Sequence, residues 1–194
     1  MAQRAALEII SSGPVPGAPR RSGFAYTEAL RQAPRAVSIV SFARGADRFG
    51  VTTTSLSSLS FEPPTILVSF DSSASLSPPA RAASFGVSVL GASQVELADR
   101  FGRGAVIGAA ADESEGSWIV SPSGVAFRSD AVAAFECESE EVIERHGRAI
   151  VVGRIRDVFK AGGSGALVYW LGVYNSIGWS DDEIRRAVGL FPIS

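Results

Sequence analysis

Residues 50–64 read GVTTTSLSSLSFEPP, the most informative stretch of the sequence, because hydroxyl side chains crowd it and no charge occurs before Glu62. Serine and threonine can direct hydroxyl donors at a phosphate or at the carbonyl of a heteroaromatic ring, and their small size leaves backbone N–H groups within reach of a ligand. The same composition also suits a polar strand edge followed by a turn, since hydroxyls bond readily to nearby backbone. The stretch therefore predicts either a ligand-binding surface or a hydroxyl-rich turn.

A second hydroxyl cluster follows closely along the chain. Residues 71–75 read DSSAS; they come directly after the apolar segment TILVSF (65–70) and before Pro78 and Pro79, which indicate the start of a helix. A strand end that leads into a helix N-terminus offers free N–H groups to an anion, although a plain helix N-cap has the same pattern. Two such clusters so close together favour a ligand site.

The remaining pattern predicts a mainly β fold. Segments rich in β-branched residues, such as AVSIVSF (36–42) and FGVSVLG (85–91), are typical of strands. Three longer strands are expected over 131–143, 148–159 and 165–174, for a total of about seven or eight strands. Two or three short helices interrupt them without regular βαβ alternation, which favours an antiparallel barrel with helical insertions over a doubly wound sheet.

Two of the helices and one long loop can be assigned from the sequence. A helix over 24–32 is ended by Pro34, and residues 92–104 form an amphipathic helix that ends at glycine. Trp118 is the expected anchor of the loop 104–124. The candidate buried positions of the second helix are Val95, Leu97, Ala98 and Phe101.

Length and composition fit one domain with small additions. The chain has 194 residues, of which 46% are hydrophobic and 20% charged, so it can bury a sizeable core. We expect a flexible N-terminal arm over 1–22, a barrel domain over 23–179 and a C-terminal helical tail over 180–194.

The same numbers exclude several classes of function. A net charge of −2 argues against nucleic-acid binding. No segment has the length of a membrane helix or of a secretory signal, so we expect a soluble cytoplasmic protein. One cysteine, Cys137, excludes an intrachain disulfide and a cysteine-rich zinc site; we expect it in the core and expect no metal site. The acids over 136–144 are expected on a solvated strand face and turn.

The quoted segments together resemble the flavin reductase family, which has the FMN-binding split-barrel fold. The hydroxyl run to Pro64 and the Asp-x-Ser-x-Ser pattern at 71–75 carry the resemblance. The segments LADRFG (97–102), AIVVGRI (149–155) and LVYWLGVY (167–174) extend it over most of the chain. The chain is most similar to the reductase components of two-component flavin-dependent monooxygenases, such as that of 4-hydroxyphenylacetate hydroxylase.

The resemblance implies a homodimer that holds FMN or FAD near the subunit interface. Residues 52–55 would line the isoalloxazine and the ribityl chain, residues 71–75 would lie towards the phosphate end, and Arg103 is a candidate phosphate partner. The implied flavin-binding set is Pro34, Arg35, Thr52, Thr53, Thr54, Ser55, Ser58, Asp71, Ser72, Ser73, Ser75, Phe101 and Arg103.

The nicotinamide side of this expected site departs from the family pattern. Arg148 stands where family members often carry a histidine, and His146 lies two residues earlier, so either residue could contact the nicotinamide nucleotide. An ordinary turn histidine is the alternative for His146. The family's Tyr-Arg-Gly-x-Tyr-like ending lacks its arginine here, and Trp170 or Tyr174 would cover the ring.

The implied function is that of an NAD(P)H:flavin oxidoreductase, which uses NADH or NADPH to reduce FMN or FAD and supplies the reduced flavin to a separate monooxygenase. Because the cofactors carry the difficult chemistry, we expect no catalytic side chain, only fixed donors around the flavin. Two alternatives stay open: a flavin-binding protein without reductase turnover, and a split-barrel oxidase with tightly bound FMN.

Overall fold

The computed structural model describes residues 23–72, 83–107, 118–161 and 165–178. The chain divides into two units, residues 1–33 and 34–194. Helix α1 (Gly23–Arg31) is the described part of the first unit, and within it Arg31 pairs with Glu28 at 2.7 Å. Alanine, leucine, glutamate and arginine favour a helix here. The observed bounds confirm the helix predicted over 24–32 to within one residue at each end.

The second unit is built from strands and one short helix. Within its described residues the elements are β1 (Arg35–Ala36), β2 (Ser38–Arg44), β3 (Asp47–Thr53), β4 (Leu56–Phe61), β5 (Pro64–Asp71), β6 (Ser84–Val89), α2 (Val95–Arg100), β7 (Ala105–Val106), β8 (Trp118–Val120), β9 (Ala126–Arg128), β10 (Ala133–Arg145), β11 (Arg148–Ala161), β12 (Gly165–Trp170) and β13 (Val173–Gly178).

Eight of these strands form one antiparallel sheet in the order β4-β5-β11-β10-β6-β2-β3-β7. The end of β3 returns to β5, where the Thr53 hydroxyl donates to the carbonyl of Ser69. Alternate side chains face inward, as the two-residue period of a strand requires. The interior is filled by Val40, Phe42, Val51, Ile66, Val68, Phe70, Phe85, Val87, Cys137, Ala149 and Val151. The expected antiparallel barrel is confirmed.

A second apolar cluster surrounds helix α2. Leu97, Ala98 and Phe101 are buried there, as predicted, whereas Val95 is only half-buried. The three-stranded sheet β1-β12-β13 contributes Leu167 to the same cluster. Backbone hydrogen bonds of 2.9–3.0 Å link Val37, Leu90 and Leu167, and they tie the small sheet to the barrel.

The hairpin β8–β9 carries an unusually buried arginine. The Arg128 side chain is only 2% exposed, and its guanidinium donates two hydrogen bonds to the Asp130 carboxylate, at 2.9 and 2.7 Å. The same guanidinium lies 5.3 Å from the ring centroid of Trp118, whose ring meets Phe101 edge-on at 5.7 Å. Trp118 therefore packs on the end of α2, as expected of an anchor, but it begins strand β8 within the segment predicted as a loop, of which residues 108–117 lie outside the described ranges.

The structure differs from the sequence prediction in strand number, in the length of α2, which covers Val95–Arg100 rather than 92–104, and in one buried acid. The described residues form thirteen strands rather than seven or eight, because the hydroxyl run splits between β3 and β4 and four strands have only two or three residues. Glu136, predicted on a solvated face, is buried, with only 7% of the residue exposed. Cys137 is in the core as predicted, and its burial raises the pKa of the thiol to about 12.

Several predicted segments lie outside the described residues. They are the arm 1–22, the helix start at Pro78 and Pro79, and the C-terminal tail 180–194. Neither described helix is long and apolar enough to cross a membrane.

Candidate functional site

The hydroxyl run leaves β3, passes through a bend at residues 54–55 and continues into β4. The Thr53 hydroxyl donates to the carbonyl of Ser69 and accepts from the amide of Ser55 at 3.0 Å. The Ser69 amide closes the arrangement by donating to the Ser55 carbonyl. Thr53 is buried at 5% exposure, so its side chain holds the turn against β5 rather than facing solvent. Residues 53–55 are called the hydroxyl turn below, and Ser69 of β5 is its hydrogen-bond partner.

Thr52 faces the opposite side of β3. Its hydroxyl donates to the carbonyl of Ala98 at 2.8 Å, and its amide donates to the carbonyl of Phe101 at 2.9 Å. These two bonds fasten β3 to the C-terminal end of α2. Phe101, a predicted flavin contact, has a fully buried ring that packs in the second apolar cluster.

Thr54 and Ser55 present the hydroxyls that a ligand could use. Both residues are half-buried, and neither hydroxyl group forms a hydrogen bond within the described ranges. Ser58 follows on β4 with an exposed side chain, and its carbonyl accepts from Ser57 at 3.3 Å. Partly sheltered donors without a protein partner fit a ligand with polar ring edges, because ligand sites place a few polar groups at otherwise apolar walls.

The end of β5 meets the start of β11 beside this turn. Strand pairing sets Asp71 opposite Arg148, and the guanidinium donates to the Asp71 carboxylate at 2.6 Å. The Arg148 Nε also donates to the Ser69 hydroxyl at 3.3 Å. The sequence assigned Asp71 to the flavin and Arg148 to the nicotinamide, and the structure brings the two side chains together.

The β10–β11 hairpin turns at His146 and Gly147. Their φ angles are 52° and 72°, which are typical of a two-residue hairpin turn of type I′. The Gly147 carbonyl accepts from the amide of Ser72 at 2.9 Å, so the turn is fastened to the end of β5. The His146 side chain is exposed, which leaves it accessible to a ligand and equally compatible with an ordinary turn residue.

The remaining predicted residues of the described ranges lie around the three-stranded sheet and α2. The Tyr174 ring meets Tyr169 edge-on at 5.3 Å, and burial, together with the charge of Asp99 and a hydrogen bond to it, raises the pKa of the Tyr174 hydroxyl. Trp170 is exposed at the end of β12. Arg35 pairs across from Tyr169, and its Nε is buried without a hydrogen-bond partner in the described part of the chain.

The last predicted residues divide between exposed and undescribed positions. Pro34 and Arg103 are exposed, at the start of the second unit and in the turn after α2. Ser73 and Ser75 lie outside the described residues. Sequence reasoning missed Ser69, although the signal was present: it is a polar residue that interrupts the apolar segment TILVSF next to the second hydroxyl cluster.

Taken together, these donors suit the polar edge of a heteroaromatic ring. Hydroxyls and backbone amides can bond to the carbonyl and nitrogen edges of a heteroaromatic ring. Within the described ranges no group of three or more histidine, cysteine, aspartate or glutamate residues could hold a metal ion. The arrangement can therefore hold and orient a polar ring.

Known proteins share both this sequence pattern and this fold. The flavin reductase-like domain model matches residues 30–178. The reductase subunit Stc3 of stachydrine N-demethylase from Rhizobium meliloti is 31% identical over 152 residues, covering 77% of this chain and 64% of that protein. The NADH-dependent flavin reductase StyB from Pseudomonas fluorescens is 31% identical over 106 residues, covering 55% and 59%. The chain thus spans about three fifths of the length of these two relatives.

The fold comparison agrees with the sequence comparison. The crystal structure of a flavin reductase domain protein from Arthrobacter sp. FB24 superposes with a TM-score of 0.69 at 24% identity, covering 82% of this chain and 98% of that chain. That likeness supports the split-barrel architecture, and the family model covers well over half of the chain. The chain belongs to the flavin reductase-like domain family.

Proposed function

We propose that this protein is an NAD(P)H:flavin oxidoreductase that reduces FMN or FAD. The observation that carries the proposal is the hydroxyl turn. Ser69 of β5 bonds to Thr53 and Ser55, and the hydroxyls of Thr54 and Ser55 form no hydrogen bond within the described ranges. When both are bound, the nicotinamide supplies a hydride and the flavin accepts it. The protein's task is to hold the two rings close together and to stabilise the negative charge that grows on the flavin.

The hydroxyl turn would bind the polar edge of the flavin ring. Thr54 and Ser55 would donate to ring oxygen and nitrogen atoms, while Thr53 keeps the turn in place through Ser69. Donors that are already oriented stabilise developing charge without reorganising during the reaction. This division explains why four consecutive hydroxyl residues are useful: Thr52 and Thr53 fasten the strand, and the next two face a ligand.

The phosphate end of the flavin would lie towards Asp71 and Ser72 or towards the turn after α2. Arg103 has an exposed guanidinium there and can form a charge-assisted hydrogen bond with a phosphate. Ser58 would line the outer rim of the same site. Arg35, with its buried and unpartnered Nε, is a further donor for the ring or the ribityl chain.

The nicotinamide side is proposed to use one of the hairpin residues and one of the aromatic residues. His146 and Arg148 lie on the hairpin beside β5, and Trp170 and Tyr174 lie on β12 and β13. Either aromatic ring could cover the nicotinamide by stacking. The choice within each pair stays open.

A second copy of the chain is proposed to complete the site. Strand β4 is one of the two outermost strands of the large sheet and carries Phe61, which is 91% exposed, and Leu59, which is 59% exposed. An edge strand with exposed apolar side chains invites pairing with another chain. A homodimer that covers β4 would place the partner subunit next to the hydroxyl turn.

A separate monooxygenase is the proposed consumer of the reduced flavin. One relative is the reductase subunit of an N-demethylase, and another is an NADH-dependent flavin reductase. A reductase that passes its flavin on must bind it moderately, so flavin would be a substrate as much as a cofactor.

Anaerobic stopped-flow mixing tests the proposal, with NADH and NADPH each titrated against FMN and FAD. We expect flavin absorbance to bleach in a protein-dependent, saturable reaction with at least one of the four pairs. No protein-dependent reduction in any pair would contradict the assignment.

A flavin-binding protein without reductase turnover is the alternative that fits if Arg148 is the nucleotide contact, because Asp71 and Ser69 already engage its guanidinium. In that protein the guanidinium would be unavailable to a nucleotide, and flavin would bind without being reduced. A split-barrel oxidase is distinguished by purified protein that keeps its FMN through dialysis.

A further inference from the structure

Arg148 directs its guanidinium over the end of β5. Its Nη1 donates to the Asp71 carboxylate at 2.6 Å, its Nε to the Ser69 hydroxyl at 3.3 Å, and its Nη2 approaches the Ser69 carbonyl at 3.5 Å. A planar guanidinium can engage two acceptors at once in a fixed geometry, which a lysine cannot do. The Arg148 side chain therefore forms hydrogen bonds with both Ser69 and Asp71.

Ser69 also forms two hydrogen bonds with the hydroxyl turn. Its carbonyl accepts from the Thr53 hydroxyl, and its amide donates to the Ser55 carbonyl. The contact therefore runs from Arg148 through Ser69 to the backbone on which Thr54 and Ser55 sit. Arg148 itself does not need to touch a ligand to influence where those two hydroxyls point.

The exposure of the ion pair shows that its contribution to stability is small. The Arg148 and Asp71 side chains are 46% and 74% exposed, and exposed ion pairs contribute about 0–1 kcal/mol. The same strand carries a comparable pair, Arg156 with Glu138, whose side chains are 48% and 35% exposed. That second pair lies farther along β11 and has no contact with the hydroxyl turn.

The geometry points to Arg148 as a positioning residue for the flavin-binding hydroxyls, which it orients through Ser69, rather than as a partner of the nicotinamide nucleotide. This inference rests on the proposed function, because it assumes that the hydroxyl turn binds flavin. It reassigns Arg148 from the side of the site to which the sequence pattern assigned it. Asp71 serves as the partner that keeps the guanidinium in its orientation.

The test is direct flavin binding by Arg148→Met, measured by fluorescence quenching of FMN and FAD without nucleotide. Methionine keeps an unbranched stem and removes every donor. We expect the flavin Kd to rise about threefold, equivalent to about 0.7 kcal/mol, while the KM for NADH or NADPH at saturating flavin stays unchanged. The flavin Kd of Arg148→Lys should lie between those of the wild type and Arg148→Met, since lysine keeps the charge but cannot engage two acceptors in a fixed planar geometry.

Arg156→Met is the matched control, from the same strand with a similar ion pair, and it should leave the flavin Kd unchanged. Ser69→Ala should weaken flavin binding less than Arg148→Met, and the double variant should bind about as well as Arg148→Met alone, because both changes act on one contact. A nucleotide KM that rises while the flavin Kd stays constant would overturn the inference and return Arg148 to the nucleotide.

Failure of the proposed function gives a different result from failure of this inference. Wild-type protein that binds flavin without reducing it would refute the reductase, while the effect of Arg148→Met on the flavin Kd would still be measured. Wild-type protein that binds neither FMN nor FAD would overturn both.

Discussion

Replacing Gly50 by alanine tests how tightly β3 packs on the end of helix α2. A Cβ at this position would lie 2.8 and 2.9 Å from Cδ1 and Cε1 of Phe101, and 3.2 Å from Cγ2 of Ile39. The Phe101 ring would have to retreat by about 0.6 Å to reach an ordinary contact of 3.4 Å. Phe101 is fully buried with Trp118 against it, so the ring has no free space behind it.

The cost follows from this crowding. Adding a methyl group to a well-packed core typically costs about 1–3 kcal/mol. For a chain of this size, each kcal/mol lowers the melting temperature by about 2–4 °C. We therefore expect Gly50→Ala to lose about 2 kcal/mol and to melt about 4–8 °C below the wild type. Thermal unfolding followed by circular dichroism, with urea unfolding alongside, measures both quantities.

Gly91→Ala is the matched control because Gly91 is also a buried glycine outside the helices. Its Cβ would meet nothing closer than 3.6 Å, so we expect it to melt close to the wild type. The steric reasoning is refuted if Gly50→Ala melts at the wild-type temperature or if Gly91→Ala loses as much. Because the Phe101 carbonyl accepts from the Thr52 amide, Gly50→Ala should also weaken flavin binding.

Three further predictions test the site and the core. Ser55→Tyr should raise the flavin Kd by about tenfold or more while leaving the melting temperature nearly unchanged, because the ring fills space beside a half-buried hydroxyl; unchanged affinity would count against the site. Gly153→Ala should cost about 3 kcal/mol in urea unfolding, since its Cβ would overlap Cζ of Phe85. The Cys137 thiol, with its pKa raised to about 12 by burial and by neighbouring Glu136, should resist a thiol reagent at pH 8 until urea unfolds the chain. Because that pKa is above the ordinary value of 9.0, the associated stability is present below pH 9 and is lost as the pH rises towards 12, a loss that Cys137→Ala should remove.

The strand core was predictable because its signal is local. In AVSIVSF and TILVSF, the residues that face the barrel interior recur at every second position, as in Val40 and Phe42 or Ile66 and Val68. Strands of two or three residues, such as Arg35–Ala36 and Ala105–Val106, carry no such pattern. They exist because a neighbouring strand happens to lie within hydrogen-bond distance, and this depends on the assembled fold.

The candidate site was predictable as a set of residue types but not as a set of contacts. Hydroxyl crowding identified residues 52–55, yet it did not separate Thr53, whose hydroxyl is committed to the Ser69 carbonyl, from Thr54, whose hydroxyl is not. The burial of Glu136 was unpredictable for the same reason, because a glutamate in the same local sequence can be exposed to solvent or buried.

A mainly β fold, the family and the two hydroxyl clusters could all be inferred from the sequence, because strand periodicity and residue chemistry are properties of short segments. The assembled fold was needed to show that Arg148 meets Asp71, 77 residues away, and that Ser69 joins that pair to the hydroxyl turn. The register between β5 and β11 sets the contacts of Arg148 with Asp71 and Ser69, and a register is fixed by the pairing and burial of whole strands together rather than by the residues at any one position.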